Sequence, residues 1–287
     1  MADWTTFAGF TAVVLTLLLL LARLSQGQFR ERPPSADDEP ADSGPSPDRV
    51  RDGARAGTAS GDRLVYPFAD WPHSSVGGHA STGPARPSAL TDLSPGTLLL
   101  NVAVSQGLFG GLLVAGAVLT GVPASAFGLD AEAFAPATLL AGAALGVTLY
   151  GANEVGAAVG ERFGLGGGEA LREALAPESA LGWAVLLLVV LPVIAGFEEL
   201  LFRGVLVGAL SAGFGVSPWL LAALSSVAFA LGHGAQGPTG VVVTGLLGFV
   251  LAAGYVLTGS LPAVILAHYL VNALEFVVHE GLEVDWA

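Results

Sequence analysis

ALGWAVLLLVVLPVIAGFEELLFRGVLVGAL, residues 180–210, decides the reading of the fold. Residues 180–197 carry no charge, and Glu198, Glu199 and Arg203 then fall inside a run that is otherwise apolar to its end. A helix of about 20 apolar residues crosses the ~30 Å hydrocarbon core of a bilayer, and this stretch is longer than that. Each ionisable side chain in such a span costs ~2.5–3.5 kcal/mol on insertion scales. Three of them close together therefore call for a functional or pairing role. Pro192 lies mid-stretch, where a missing N–H predicts a kink.

The rest of the chain extends the same reading. Of its 287 residues 53% are hydrophobic and only 12% charged, against roughly a quarter charged in an ordinary soluble domain. Too few polar residues exist to cover a soluble surface, so much of the apolar surface is expected to face lipid. Further candidate spans are 7–22, 97–121, 136–154, 217–233, 240–258 and 261–279. The expected fold is all-α: a polytopic transmembrane helix bundle of about seven spans. Frequent glycines, among them Gly107, Gly110, Gly142 and Gly146, favour close helix approach.

Three segments follow from composition. Residues 1–24 read as an N-terminal transmembrane anchor, because no positively charged stretch precedes the apolar run and no clear cleavage site follows it. Residues 25–96 are rich in Pro, Gly, Ser, Asp and Arg, and read as an acidic disordered linker that cannot bury enough surface to offset its chain entropy. Residues 97–287 form the helical core. Arg23, Arg30 and Arg32 follow the first span, and Arg162 and Arg172 lie in the loop after the third. That spacing fits an outside N-terminus and an inside C-terminus.

Composition also excludes chemistry. There is no cysteine, so thiolate sites and a cysteine nucleophile are ruled out. All 11 basic residues are Arg, which removes Lys Schiff bases and Ser-Lys dyads. A net charge of -13 leaves no basic surface for nucleic acid. No serine elbow of the G-x-S-x-G type and no HExxH zinc helix occurs.

Polar side chains suited to catalysis sit in three spans. In GFEELLFRG, residues 196–204, Arg203 lies four residues after Glu199, so those two share a helix face and can pair. Glu198 is rotated by about 100° and is left without that partner, free to act as a general base or acid. A purely structural ion pair is the plain alternative. In AFALGHGAQG, residues 228–237, His233 ends a span before a Gly-rich turn, where a histidine also suits the helix dipole. In LAHYLVNALEFVVHE, residues 266–280, His268 and Asn272 share a face, Glu275 continues the stripe and His279 follows. An Asn can also join helices by hydrogen bonding alone.

Together these segments resemble the CPBP family of intramembrane proteases, the CAAX-protease and bacteriocin-processing group. The family pattern is Glu-Glu-x-x-x-Arg, Phe-x-x-x-His and His-x-x-x-Asn on successive membrane helices. Here it reads Glu198-Glu199-x-x-x-Arg203, Phe229-x-x-x-His233 and His268-x-x-x-Asn272. The resemblance covers about residues 97–280. It implies an intramembrane endopeptidase in the cell membrane, acting on a peptide or a membrane-anchored, CAAX-like protein. Glu198 would activate a water, His233 would position it, and His268 with Asn272 would stabilise the oxyanion. Glu199, Arg203 and Phe229 would support them. The first reading needs no cofactor. In the other, a divalent ion such as zinc is held by Glu198, His233 and His268, since His₂Glu sets are adequate zinc ligands. Outside the resemblance, a non-enzymatic transporter or immunity-type protein could use buried Glu and His as a proton relay.

Overall fold

The computed structural model describes residues 1–30, 95–161, 172–173 and 175–284. Met1–Leu24 and the described residues from 95 onward belong to one compact unit. The linker reading falls outside the described residues over 31–94.

Seven helices of 15 residues or more occur among the described residues, one for each apolar stretch. They are α1 (Trp4–Arg30), α2 (Pro95–Thr120), α3 (Pro136–Glu161), α4 (Ala180–Phe214), α5 (Pro218–Gly232), α6 (Gly237–Thr258) and α7 (Leu261–Gly281). No strand interrupts them among the described residues. Five (α1, α2, α4, α6 and α7) are long and apolar enough to cross a membrane. Helix α5, with 15 residues, is about 22 Å long and falls short of the hydrocarbon thickness. Helix α3 has the length, at 26 residues, but carries Asn153 and Glu154 in its second half. Large apolar side chains such as Leu119, Leu188 and Leu246 point outward from α2, α4 and α6. That outer surface is what a lipid-facing protein needs. The chain is an all-α polytopic membrane protein.

Several starts and joins follow from local chemistry. The Asp3 carboxylate accepts from the Thr6 N–H (3.0 Å) and caps α1. The Ser179 hydroxyl accepts from the Gly182 N–H (3.1 Å) at the start of α4. Ser260 caps α7 by accepting from the Ala263 N–H (3.1 Å), and its hydroxyl donates to the Ala133 carbonyl (2.7 Å). Gly259, at φ +64°, makes the tight α6–α7 turn in the left-handed region that an L side chain resists. The Asp3 N–H reaches the Thr120 carbonyl and the Leu261 N–H reaches the Gly128 carbonyl. The starts of α1 and α7 and the end of α2 therefore share one end of the bundle, as the alternation of spans requires.

Helix α1 is not set apart from the core. Phe7 and Val14 are buried with Leu113 and Ala117 of α2 and with Phe202 and Val205 of α4. The Phe7 ring meets Phe127 edge-on, with centroids 5.8 Å apart. Helix α1 also continues to Arg30, whereas its membrane-length apolar run ends at Leu24.

Helix α4 is 35 residues long and contains two wide, π-helical stretches, Leu186–Val190 and Leu200–Ala209. The first leads directly to Leu191 and Pro192. A proline removes one helical hydrogen bond and crowds the carbonyl four residues back, and the wider turn before it accommodates both effects. The expected break at Pro192 takes this form. The second stretch begins right after Glu199, and such local widening recurs at functional sites.

Helix α7 packs against α3 through small residues. A Cβ on Gly142 would collide with the Ala263 carbonyl oxygen, and one on Gly146 would lie 2.7 Å from that of Ala267. Between membrane helices there is little hydrophobic drive, so close backbone approach of this kind supplies the packing energy. It also fixes the side of α7 that carries His268. Gly146→Leu is expected to destabilise the protein by about 1–3 kcal/mol through overpacking. Gly151→Ala, where a Cβ meets nothing within 4 Å, should melt like the wild type. Thermal denaturation in detergent, followed by circular dichroism, separates the two.

Candidate active site

Glu198 and Glu199 are adjacent on α4 but face different neighbours. Glu199 is fully buried, and its Oε1 accepts from Arg203 Nη1 at 3.0 Å. The expected i,i+4 pair is therefore present. The same oxygen lies 2.8 Å from Nδ1 of His268 on α7. Arg203, also fully buried, sends Nη2 to the carbonyl of Gly248 on α6 at 2.7 Å. One ion pair thus connects α4, α6 and α7.

Phe229 of α5 lies at the centre of this group. The Arg203 guanidinium sits 4.8 Å from its ring centroid, within the range of a cation–π contact. The His233 ring is 4.5 Å away and the His268 ring 6.1 Å away, the latter edge-on. Gly248 leaves room for this ring, because a Cβ there would come 2.9 Å from Phe229 Cδ1. Phe229 therefore braces Arg203 and His268 as well as its expected partner His233.

Glu198 takes no bond from Arg203. Its Oε2 faces His268 Nε2 at 3.8 Å, and its Oε1 accepts from Gln106 Nε2 of α2 at 3.4 Å. His268 thus lies between the two carboxylates, one at each ring nitrogen. His233 follows the last turn of α5, and its Nδ1 lies 2.8 Å from the Phe229 carbonyl. A carbonyl only accepts, so Nδ1 carries the proton and Nε2 is left as an acceptor. Asn272, one turn beyond His268, is half-buried, and its side chain has no hydrogen-bond partner among the described residues. The structure brings Glu198, Glu199, Arg203, Phe229 and His268 into contact. His233 joins them through Phe229, and Asn272 extends the His268 face.

Sequence reading missed Gln106. The rule applied to the spans picked out ionisable groups, whereas Gln106 is an uncharged polar residue in an apolar helix. Ser225 and Ser226 are accounted for as structural. Their hydroxyls donate to the carbonyls of Phe202 (2.6 Å) and Ala222 (2.7 Å).

A second polar group lies apart from this one. Glu275 of α7 accepts from Arg172 (3.1 Å) and from Asn153 of α3, and Glu280 accepts from Arg172 at 2.8 Å. His279 pairs with Glu154 at 2.9 Å. The arginine that marked the inner side of the membrane therefore pairs with the end of α7.

The zinc reading depends on whether Glu198, His233 and His268 can share an ion. Glu198 and His268 are close enough, at 3.8 Å. The full trio is not. Among the described residues, the one set of three whose ligand atoms all lie within 4.8 Å of one another is Glu154, Glu275 and His279, and those side chains already hold one another and Arg172. As arranged, the trio does not form a three-ligand site.

Residues 180–274, the stretch from the start of α4 into α7, match the family of type II CAAX prenyl endopeptidase Rce1-like proteins. That stretch resembles an Rce1-like domain. It holds all three motifs: the Glu198–Arg203 segment, Phe229 with His233, and His268 with Asn272. No curated protein and no solved structure matches the chain. Helices α1–α3, including Gln106, lie outside the matched stretch.

The Glu199–Arg203 pair gives a direct test of what holds the domain together. Arg203→Met leaves Glu199 buried without its cation, and breaking such a pair costs about 3–5 kcal/mol. The double variant Arg203→Met with Glu199→Gln removes the stranded charge and is expected to recover a large part of that loss. Thermal unfolding of the two proteins in detergent measures it.

Proposed function

We propose that this protein is an intramembrane endopeptidase of the cell membrane that cleaves a peptide bond of a membrane-associated, CAAX-like substrate, with Glu198 as the general base. The observation that carries the proposal is the contrast between two neighbouring carboxylates. Glu199 is bound by Arg203 and His268, whereas Glu198 takes no bond from an arginine and only faces His268 Nε2 at 3.8 Å.

In this reading Glu198 takes a proton from water, and the water oxygen attacks the scissile carbonyl carbon. His233 Nε2, left as an acceptor, helps orient that water. The carbonyl oxygen becomes an oxyanion as the C–O bond forms. Its donors are the Asn272 carboxamide and Nε2–H of His268. For Nε2 to donate, the ring must carry both protons, with Nδ1–H held by the Glu199 carboxylate. Glu198 then returns its proton to the leaving nitrogen as the C–N bond breaks. Atoms and protons balance with water as the only co-reactant. No step passes through a metal.

Purified protein in detergent is expected to cleave a membrane-anchored peptide. Glu198→Ala and His268→Ala should each lower the rate by about 10²–10⁴-fold while helical content stays the same. Wild-type cleavage by both variants would remove the assignment. One equivalent of zinc in the active protein would overturn direct glutamate catalysis. Proton flux that depends on Glu198, with no peptide cut, would favour the relay instead.

A further inference from the structure

Gln106 is the contact that neither the sequence motifs nor the Rce1-like domain account for. It lies on α2, within a run that includes Leu99, Leu100, Phe109, Leu112 and Leu113. Its Nε2 points at Glu198 Oε1 from 3.4 Å. Its Oε1 is buried and has no partner among the described residues. A polar group that folds into a bundle with half its hydrogen bonding unmet lowers stability, so packing alone does not explain it.

The orientation of the carboxamide is set by its neighbour. An ionised carboxylate only accepts, so Nε2 must be the atom that faces it. The two oxygens of Glu198 are then divided. Oε1 is held by α2, and Oε2 faces His268 of α7 at 3.8 Å. A carboxylate on a glutamate stem turns about its last bond in a broad well. A donor on one oxygen limits that rotation and keeps the other aimed at the histidine. Packing places the donor suitably. Phe109, one turn after Gln106, approaches Phe197 with ring centroids 6.3 Å apart, and Gly110 lets the Phe197 side chain come within 3.6 Å of its Cβ position. Phe197 is the residue before Glu198.

We propose that Gln106 is a positioning residue for Glu198, fixing the plane of the carboxylate that acts as base. The role in catalysis rests on the peptidase reading above, whereas the Gln106–Glu198 contact does not.

The test uses the full chain in detergent with Gln106→Met, which keeps the shape and removes the donor, and Gln106→Asn, which keeps the carboxamide on a shorter stem. With a membrane-anchored peptide as substrate, Gln106→Met should lower kcat by about ten- to a hundredfold and leave KM within about twofold. Gln106→Asn should fall between it and the wild type, and it reads the effect even where Gln106→Met does not fold. A general loss of structure would instead lower the melting temperature and the active fraction of both. Unchanged kcat in both variants overturns the catalytic role. The second readout needs no activity. Infrared difference spectra identify the Glu198 carboxyl band by its loss in Glu198→Gln. The band should shift in Gln106→Met. If it stays in place, the contact itself is overturned. If it shifts in a protein that cuts no peptide, the positioning stands and the peptidase reading fails.

Discussion

Glu199 Oε1 accepts from Arg203 on its own helix and lies within hydrogen-bond distance of His268 on another. Arg203 in turn donates to a backbone carbonyl of α6. Three helices meet at one buried charge pair, which cannot relax by reaching water. The pair is imperfect, since Glu199 Oε2 and Arg203 Nε find no partner among the described residues. Buried ion pairs rarely add net stability over apolar packing, yet losing either member strands the other. Such a pair constrains arrangement more than it contributes energy. Here it fixes how α4, α6 and α7 face one another, and so where the His268 ring lies.

The surrounding packing serves the same end. Small residues on α3 and α7 allow backbone contact, which holds α7 against the bundle without large side chains. Gly248 plays a similar part on α6, giving Phe229 the space to lie against Arg203. Phe229 then acts as a shared wall for the cation and both histidines. The aromatic position of the middle motif is thus tied to the first and third motifs by direct contact, although the three are far apart in sequence.

Much of this was legible in sequence because membranes make polarity informative. An apolar run announces a helix, and a charge inside it announces a partner or a function. The i,i+4 spacing gave the Glu199–Arg203 pair, and the three motifs named the side chains that meet around Phe229. What stayed hidden was relational. Nothing local in α1 says that Phe7 will be buried among α2 and α4, so its apolar face looked like any anchor. The short length of α5 was already legible, since the 217–233 span exceeds the helix only by Ser217 and His233. Gln106 was invisible for a different reason. An uncharged amide in a span is a modest signal, and its meaning depends on which helix faces it.

The two carboxylates show how one dipeptide yields two roles. A rotation of about 100° per residue is enough to send neighbouring side chains to different helices. Glu199 turns to the Arg203 face, where a cation on the same helix lies one turn away, and burial completes its pairing. Glu198 turns to the face shared by α2 and α7, which offers an amide and an imidazole edge but no arginine. A carboxylate that must exchange protons with water needs orientation without a permanent counter-ion, because a tightly bound cation would hold it ionised and occupy its lone pairs. The adjacent pair meets both demands. The fixed carboxylate organises the helices, and its neighbour is left without an arginine, as the proposed base requires.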